Sequence, residues 1–164
     1  MSQEKRAKVL ARLDELQVSY ELLEHPAAFT VEDMNQLGIS DRGLVCKNLF
    51  LRDDKGKKHF LVTAPKDKPV DLDQVRRQLG SSRLGFASAE RLDRFLGLVQ
   101  GEVSPFGLLN DLEAKVEMVF DESLQGQDRL GVHPNDNTAT VWISFDELRR
   151  VIEANGNRIR LIQI

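Results

Sequence analysis

The sequence predicts an α/β fold built on a mixed sheet, and three observations carry that expectation. Segments with helical spacing of apolar residues are interleaved with short segments that alternate as strands do. Two strand-like segments, 44–52 and 59–64, are joined by a tight polar turn, so they must run antiparallel. The intervals between strands are too irregular for a simple doubly wound parallel sheet. The 164 residues are enough for an ordinary core without staples, and we read them as a single domain, 1–164.

The elements follow in order. Residues 4–17 place Val9, Leu13 and Leu16 on one stripe with Leu10 beside it, which is helical spacing. Residues 19–24 read as a short strand ended by His25-Pro26. Thr30-Val31-Glu32-Asp33 matches the capping-box pattern, so a short helix should run to Leu37 and stop at Gly38. The hairpin 44–64 turns at 53–58 and has a basic tip. After a loop at 66–69, Asp71 can cap a helix over 72–79, with Gly80 at its C′ position. A short strand is expected at 83–87, and Ser88 caps a helix that ends near Gly97. Residues 101–107 read as a loop and 115–120 as a strand. Two further strands, 129–133 and 138–143, flank the turn Pro134-Asn135-Asp136-Asn137. Ser144-Phe145-Asp146-Glu147 is a second capping-box match opening a helix to Ala154, and 158–164 is a last strand.

Composition narrows the function classes. Hydrophobic residues make up 41% and charged residues 30%, which argues against disordered and fibrous chains. The net charge of −3 argues against a protein that holds nucleic acid by a broad basic surface. It leaves room for a partner that presents only a nucleotide or two. The single cysteine, Cys46, excludes an internal disulfide framework and a multi-cysteine zinc site. No apolar run approaches a membrane span and no secretory core opens the chain, so a reducing, cytoplasmic setting is expected.

Lys47 is the most informative single position. Alternation places it with Val45, Leu49 and Leu51, and places Leu44, Cys46, Asn48 and Phe50 on the opposite face. Both faces are largely apolar, so the strand is central. A lysine there must be paired, reach a cavity, or titrate low. A snorkelling lysine or a structural ion pair is an equal alternative. Cys46 points the other way and reads as a packed core thiol. His25, His59 and His133 have no metal-ligand spacing, so no metal and no cofactor are expected. His25 and His133 stand at strand ends, where clefts form. The 101–107 loop, with two glycines and a proline, can expose backbone N–H groups to an oxyanion, although turn chemistry alone explains such a composition. Ser104 lacks the G-x-S-x-G context, which disfavours a Ser–His–Asp triad. The gap between the helices at 72–79 and 88–97 is too long for a helix-turn-helix, so DNA is not an expected partner. Lys55, Lys57 and Lys58, with Lys66 and Lys68 soon after, form either a solvated turn or a small phosphate-contact patch.

Four segments in order carry a family resemblance. They are Cys46-Lys47-Asn48-Leu49-Phe50-Leu51, Ser82-Arg83-Leu84-Gly85-Phe86-Ala87-Ser88, Gly101-Glu102-Val103-Ser104-Pro105-Phe106-Gly107-Leu108-Leu109-Asn110-Asp111 and His133-Pro134-Asn135-Asp136-Asn137-Thr138-Ala139-Thr140-Val141. From about residue 24 to the C-terminal helix, the chain resembles the YbaK/prolyl-tRNA editing family, and most of all its free-standing alanyl-tRNA(Pro) deacylases. The resemblance implies a curved mixed sheet surrounded by helices and hydrolysis of the ester of mischarged tRNA. It implies that Lys47 is the essential lysine, that Gly101 to Pro105 form the family's G-x-x-x-P loop, and that His133 is the pocket histidine. Asn48 and Ser104 match positions near the substrate, and His25, Pro26 and Thr30 match an early segment of the family. The implied partners are the acceptor end of tRNA(Pro) and prolyl-tRNA synthetase, with no membrane. On this reading Gly101-loop amides hold the ester carbonyl, Lys47 fixes the terminal adenosine or its phosphate, and a ribose hydroxyl positions the water. Specificity for serine, threonine or cysteine on tRNA, or a non-catalytic binding module, remain the competing readings.

Overall fold

A computed structural model describes residues 2–28 and 30–164. Its helices are α1 (Ser2–Glu15), α2 (Val31–Gln36), α3 (Leu72–Leu79), α4 (Ala89–Leu96) and α5 (Phe145–Asn155). Its strands are β1 (Tyr20–Glu24), β2 (Leu44–Arg52), β3 (His59–Pro65), β4 (Gly85–Phe86), β5 (Val116–Asp121), β6 (Leu130–Val132), β7 (Ala139–Ile143) and β8 (Ile159–Ile162). All eight strands join one mixed sheet of order β1-β7-β6-β2-β3-β5-β8, with β4 pairing β2 off that path. The antiparallel β2–β3 hairpin and the parallel β2–β6, β3–β5 and β5–β8 pairs make it mixed, as expected.

Local chemistry sets most boundaries. Asp71 caps α3 by accepting from the Asp73 and Gln74 N–H groups, and Gly80 ends the helix in the left-handed region at φ +66°. An eight-residue helix would not persist alone. Its buried Val75 and Leu79, worth about 1.5–3 kcal/mol each, pin it to one face of the sheet with Leu51, Phe60, Val62 and Val119. The opposite face carries the larger core, where α4, α5 and α1 bury Leu92, Leu96, Phe145, Leu148, Val9 and Leu13. The capping box at Thr30 forms in full. The one expected at Ser144 forms only by half, because Glu147 turns its carboxylate to the Ser19 N–H and to Arg150.

Two expectations are corrected. The end of the 101–107 loop is a 3-10 turn over Pro105–Asn110, capped by Ser104. The basic cluster is split in two. Lys55, Lys57 and Lys58 lie at the hairpin tip before β3, whereas Lys66 and Lys68 follow its far end, about 20 Å away at the rise of a strand. There Lys66 pairs with Asp67 and Lys68 with the buried Asp121, both at 2.7 Å, so carboxylates already occupy these two ammonium groups.

Candidate active site

The site begins as a gap in the sheet. One edge of β2 pairs with β6 only at Leu44 and Val45, and with β4 only at Leu51 and Arg52. Between these rungs the edge has no partner strand beyond the Ala87 N–H, which donates to the Phe50 carbonyl at 2.9 Å. A cavity of about 380 Å³ fills the gap, within the usual range for a small-molecule site. Gly131, Val132 and His133 wall it from the end of β6, and Phe86 and Ala87 from the end of β4. The segment around Gly101 closes a third side, and Ala28, Thr30 and Met34 a fourth. Gly131 belongs here for steric reasons, since a Cβ would lie 2.6 Å from the Trp142 ring.

Lys47 lines this cavity on the face it shares with Val45 and Leu51. No carboxylate among the described residues lies within ion-pair distance of it. Burial holds its pKa below the ordinary lysine value, and the more distant Asp67 opposes that shift. Asn48 lines the cavity from the other face. Its Oδ1 accepts from the hydroxyl of Thr63 at 2.6 Å, which leaves the amide N–H groups for the cavity. Thr63 is fully buried and stands directly opposite on β3. Sequence reasoning missed it.

His133 also lines the cavity. Its Nδ1–H donates to the Ala139 carbonyl at 3.1 Å, so Nε2 is the acceptor nitrogen. Burial keeps its pKa below the ordinary value, and the ring is neutral at pH 7. Thr140, likewise missed from sequence, lines the cavity and bonds His25 Nε2 at 2.9 Å, so His25 stands one residue behind the wall. Cys46 lines the cavity, but burial pushes its thiol up to about 12, and its Sγ contacts the Leu44 carbonyl at 3.8 Å. It is a packed thiol rather than a nucleophile.

Gly101 and Val103 line the cavity, and Gly101 adopts φ +93°, which favours glycine. The Glu102 N–H is held by the Val99 carbonyl at 3.1 Å, so amides presented by this loop come from Gly101 and Val103. Thr30 sits at the exposed rim and caps α2. Ser104 and Pro105 follow Val103 on the same loop. Both are buried behind the wall, outside the cavity lining. The Ser104 hydroxyl donates to the His133 carbonyl at 2.5 Å and accepts from the Phe106 N–H at 3.1 Å, which caps the 3-10 turn. It therefore positions His133 through the backbone. It is not hydrogen-bonded to the imidazole, so the two do not form a nucleophile–base pair.

Helix α1 ties the two site loops from outside. Lys5 pairs with the buried Glu102 at 2.9 Å, and Arg6 with the buried Asp136 at 3.1 Å. The pattern of the sequence gives no sign of these contacts, which span 97 and 130 residues. Among the described residues no group of three or more His, Cys, Asp or Glu is placed to hold a metal ion. No helix among them is long and apolar enough to cross a membrane.

The comparisons with known proteins agree with this geometry. The family model described as the aminoacyl-tRNA editing domain matches residues 25–151. The chain is 46% identical over 164 residues, covering all of both chains, to the prolyl-tRNA editing protein ProX of Acetoanaerobium sticklandii. It is 34% identical to the prolyl-tRNA synthetase associated domain-containing protein 1 of Mus musculus, over 94% of this chain and 93% of that one. A crystal structure described as a candidate trans-editing enzyme for prolyl tRNA synthetase superposes with a TM-score of 0.73 at 20% identity, over 98% of this chain and 97% of that one. The chain belongs to the aminoacyl-tRNA editing domain family.

Proposed function

We propose that this aminoacyl-tRNA deacylase acts in trans, as a single editing domain, on tRNA(Pro) mischarged with alanine. The observation that carries the reading is Lys47, an ammonium with no ion-paired carboxylate among the described residues, inside a sheet gap that faces the Gly101 loop. A site of this kind supplies one fixed positive charge to a ligand that brings its own negative charge. The 3′ nucleotide of a tRNA brings it.

The remaining groups fit ester hydrolysis without a protein nucleophile. Cys46 is un-ionised, Ser104 is committed to the fold, and His133 is a neutral ring held by Ala139. Water attacks the ester carbonyl, and Gly101 and Val103 N–H groups receive the oxyanion. Collapse breaks the bond to the ribose oxygen, which takes up the proton that the attacking water gives up and leaves as a hydroxyl, releasing the free amino acid. The neighbouring ribose hydroxyl positions the attacking water. Lys47 anchors the terminal nucleotide, Asn48 presents its amide to the substrate, and Thr30 meets it at the rim. Ser104 and Pro105 shape the pocket through the loop and His133.

The selection problem explains why such a domain is needed. A synthetase pocket for proline cannot reject the smaller alanine strongly, since a methylene or two supplies only about 1–3 kcal/mol of discrimination. A second pocket that admits only small side chains corrects the error. His133 and Thr140 bound that pocket here. Prolyl-tRNA synthetase is the natural partner, and the cytoplasm the natural setting. The test is deacylation of a panel of tRNAs charged with alanine, serine, threonine or cysteine. Ala-tRNA(Pro) is expected to be hydrolysed fastest. Preference for another amino acid overturns the specificity, and binding without hydrolysis of any overturns the catalytic reading.

A further inference from the structure

The cavity has one feature that the proposed chemistry does not use. Phe86 lines it yet is 62% exposed. It is the one aromatic side chain at the rim among the described residues, where the other exposed lining residues are Thr30, Ala89 and Gln100. Its position is fixed. Phe86 pairs with Leu51 across the short β4–β2 ladder, so it projects from the same face as Lys47, four residues along β2. That is about 13 Å along the strand. Leu84, two residues earlier on the same face, is buried under α3 with Leu51. The segment thus uses Leu84 for the core and leaves Phe86 over the cavity mouth.

An exposed ring on a rigid strand, facing a cavity whose interior holds an ammonium, is complementary to a nucleotide. Every base has an apolar π-face that stacks on such a ring, and the sugar-phosphate then lies toward the positive charge. We propose that Phe86 is the stacking platform for a base of the substrate's single-stranded 3′ end. The proposal rests on reading the cavity as an aminoacyl-tRNA site. It explains how a chain of net charge −3 can grip RNA, because stacking needs no broad basic surface.

The experiment uses Phe86→Ala and Phe86→Trp in the full chain. The chain's single tryptophan, Trp142, is 2% exposed, so Phe86→Trp adds a surface fluorophore at the rim. Saturable quenching of that fluorophore by the trinucleotide CCA is expected. Against Ala-tRNA(Pro), Phe86→Ala should raise KM roughly 5–150-fold with kcat little changed, and Phe86→Trp should retain the wild-type KM. Thermal melts check that both variants fold. No quenching, together with a Phe86→Ala KM within about twofold of wild type, overturns the proposal. A wild-type chain that hydrolyses no mischarged tRNA while CCA still quenches Phe86→Trp overturns the deacylase reading and leaves the stacking site standing.

Discussion

Replacing Arg6 with methionine removes the cation from a carboxylate that has no exposed side-chain surface. Asp136 accepts from Arg6 Nε at 3.1 Å, and from the backbone N–H and hydroxyl of Thr138 at 3.0 Å and 2.8 Å. Its side chain is 0% exposed and that of Arg6 16%. Removing one partner of a buried pair costs about 3–5 kcal/mol, because the remaining charge is stranded. Thr138 still holds the carboxylate, so the lower end applies, about 3 kcal/mol. At about 2–4 °C per kcal/mol for a chain of this size, Tm at pH 7 should fall by roughly 6–12 °C. The pH dependence has a definite sign. Burial pushes the Asp136 carboxyl up, but the Thr138 hydrogen bonds and the Arg6 guanidinium outweigh it and hold it below the ordinary value. Its stabilising contribution is therefore complete above the unfolded-state pKa of about 3.9 and is lost as pH falls through the lower folded value. The difference in Tm between wild type and Arg6→Met should be full at pH 7 and close as the carboxylate is protonated. Calorimetric melts from pH 7 to pH 3 measure it. A difference under about 2 °C at pH 7, or one that stays constant down to pH 3, refutes the reasoning.

Three further outcomes follow from the same contacts. His59 is pushed down to about 4 by burial and by the Arg91 and Arg94 guanidiniums, and its Nε2 contacts Arg91 Nη1 at 3.0 Å. Its neutral form supports the fold above the unfolded histidine pKa of about 6.5, and that support drains away as pH falls toward 4. His59→Gln should flatten the loss of Tm across that window, and an unchanged slope would count against the assignment. Cys46, with its thiol pushed up to about 12, should resist iodoacetamide in the native protein at pH 7.5 and react only after unfolding, as mass spectrometry can show. Ser104→Ala removes a cap worth about 1 kcal/mol and should lower Tm by roughly 2–4 °C. Because Ser104 acts through the His133 backbone, deacylation should drop several-fold. Its complete loss would mean that the hydroxyl touches substrate.

The fold was legible wherever local chemistry decides. The α3 helix begins and ends as its Asp71 and Gly80 caps foretell, and β2 has the expected bounds because Leu44 to Arg52 is apolar on both faces but for Lys47, Asn48 and the terminal Arg52, and a polar turn follows it. The two apolar faces marked Lys47 as out of place in a central strand. What could not be read was the gap that receives it. The gap exists because β6 stops at Val132 and β4 is only two residues long, and both partners come from distant sequence. The capping role of Ser104 was hidden for a related reason, since a capping hydroxyl and a substrate-facing hydroxyl look alike in a loop. Thr63 had a signal. Counting four residues back along β2 and four forward along β3 from the Arg52–His59 rung puts it opposite Asn48. The α1 tethers had none, because nothing in the spacing of Lys5 and Arg6 points to loops a hundred residues away.

Lys47 carries the central claim, and its removal from the active site is separable from the fold. Among the described residues it makes no ion pair, so Lys47→Met should leave Tm within a few degrees of wild type. Single-turnover hydrolysis of Ala-tRNA(Pro), with wild type and Lys47→Met side by side, is the direct measurement. A loss on the order of 100-fold or more in rate, with the melt unchanged, is the predicted result. Full deacylation by the Lys47→Met protein would contradict the account.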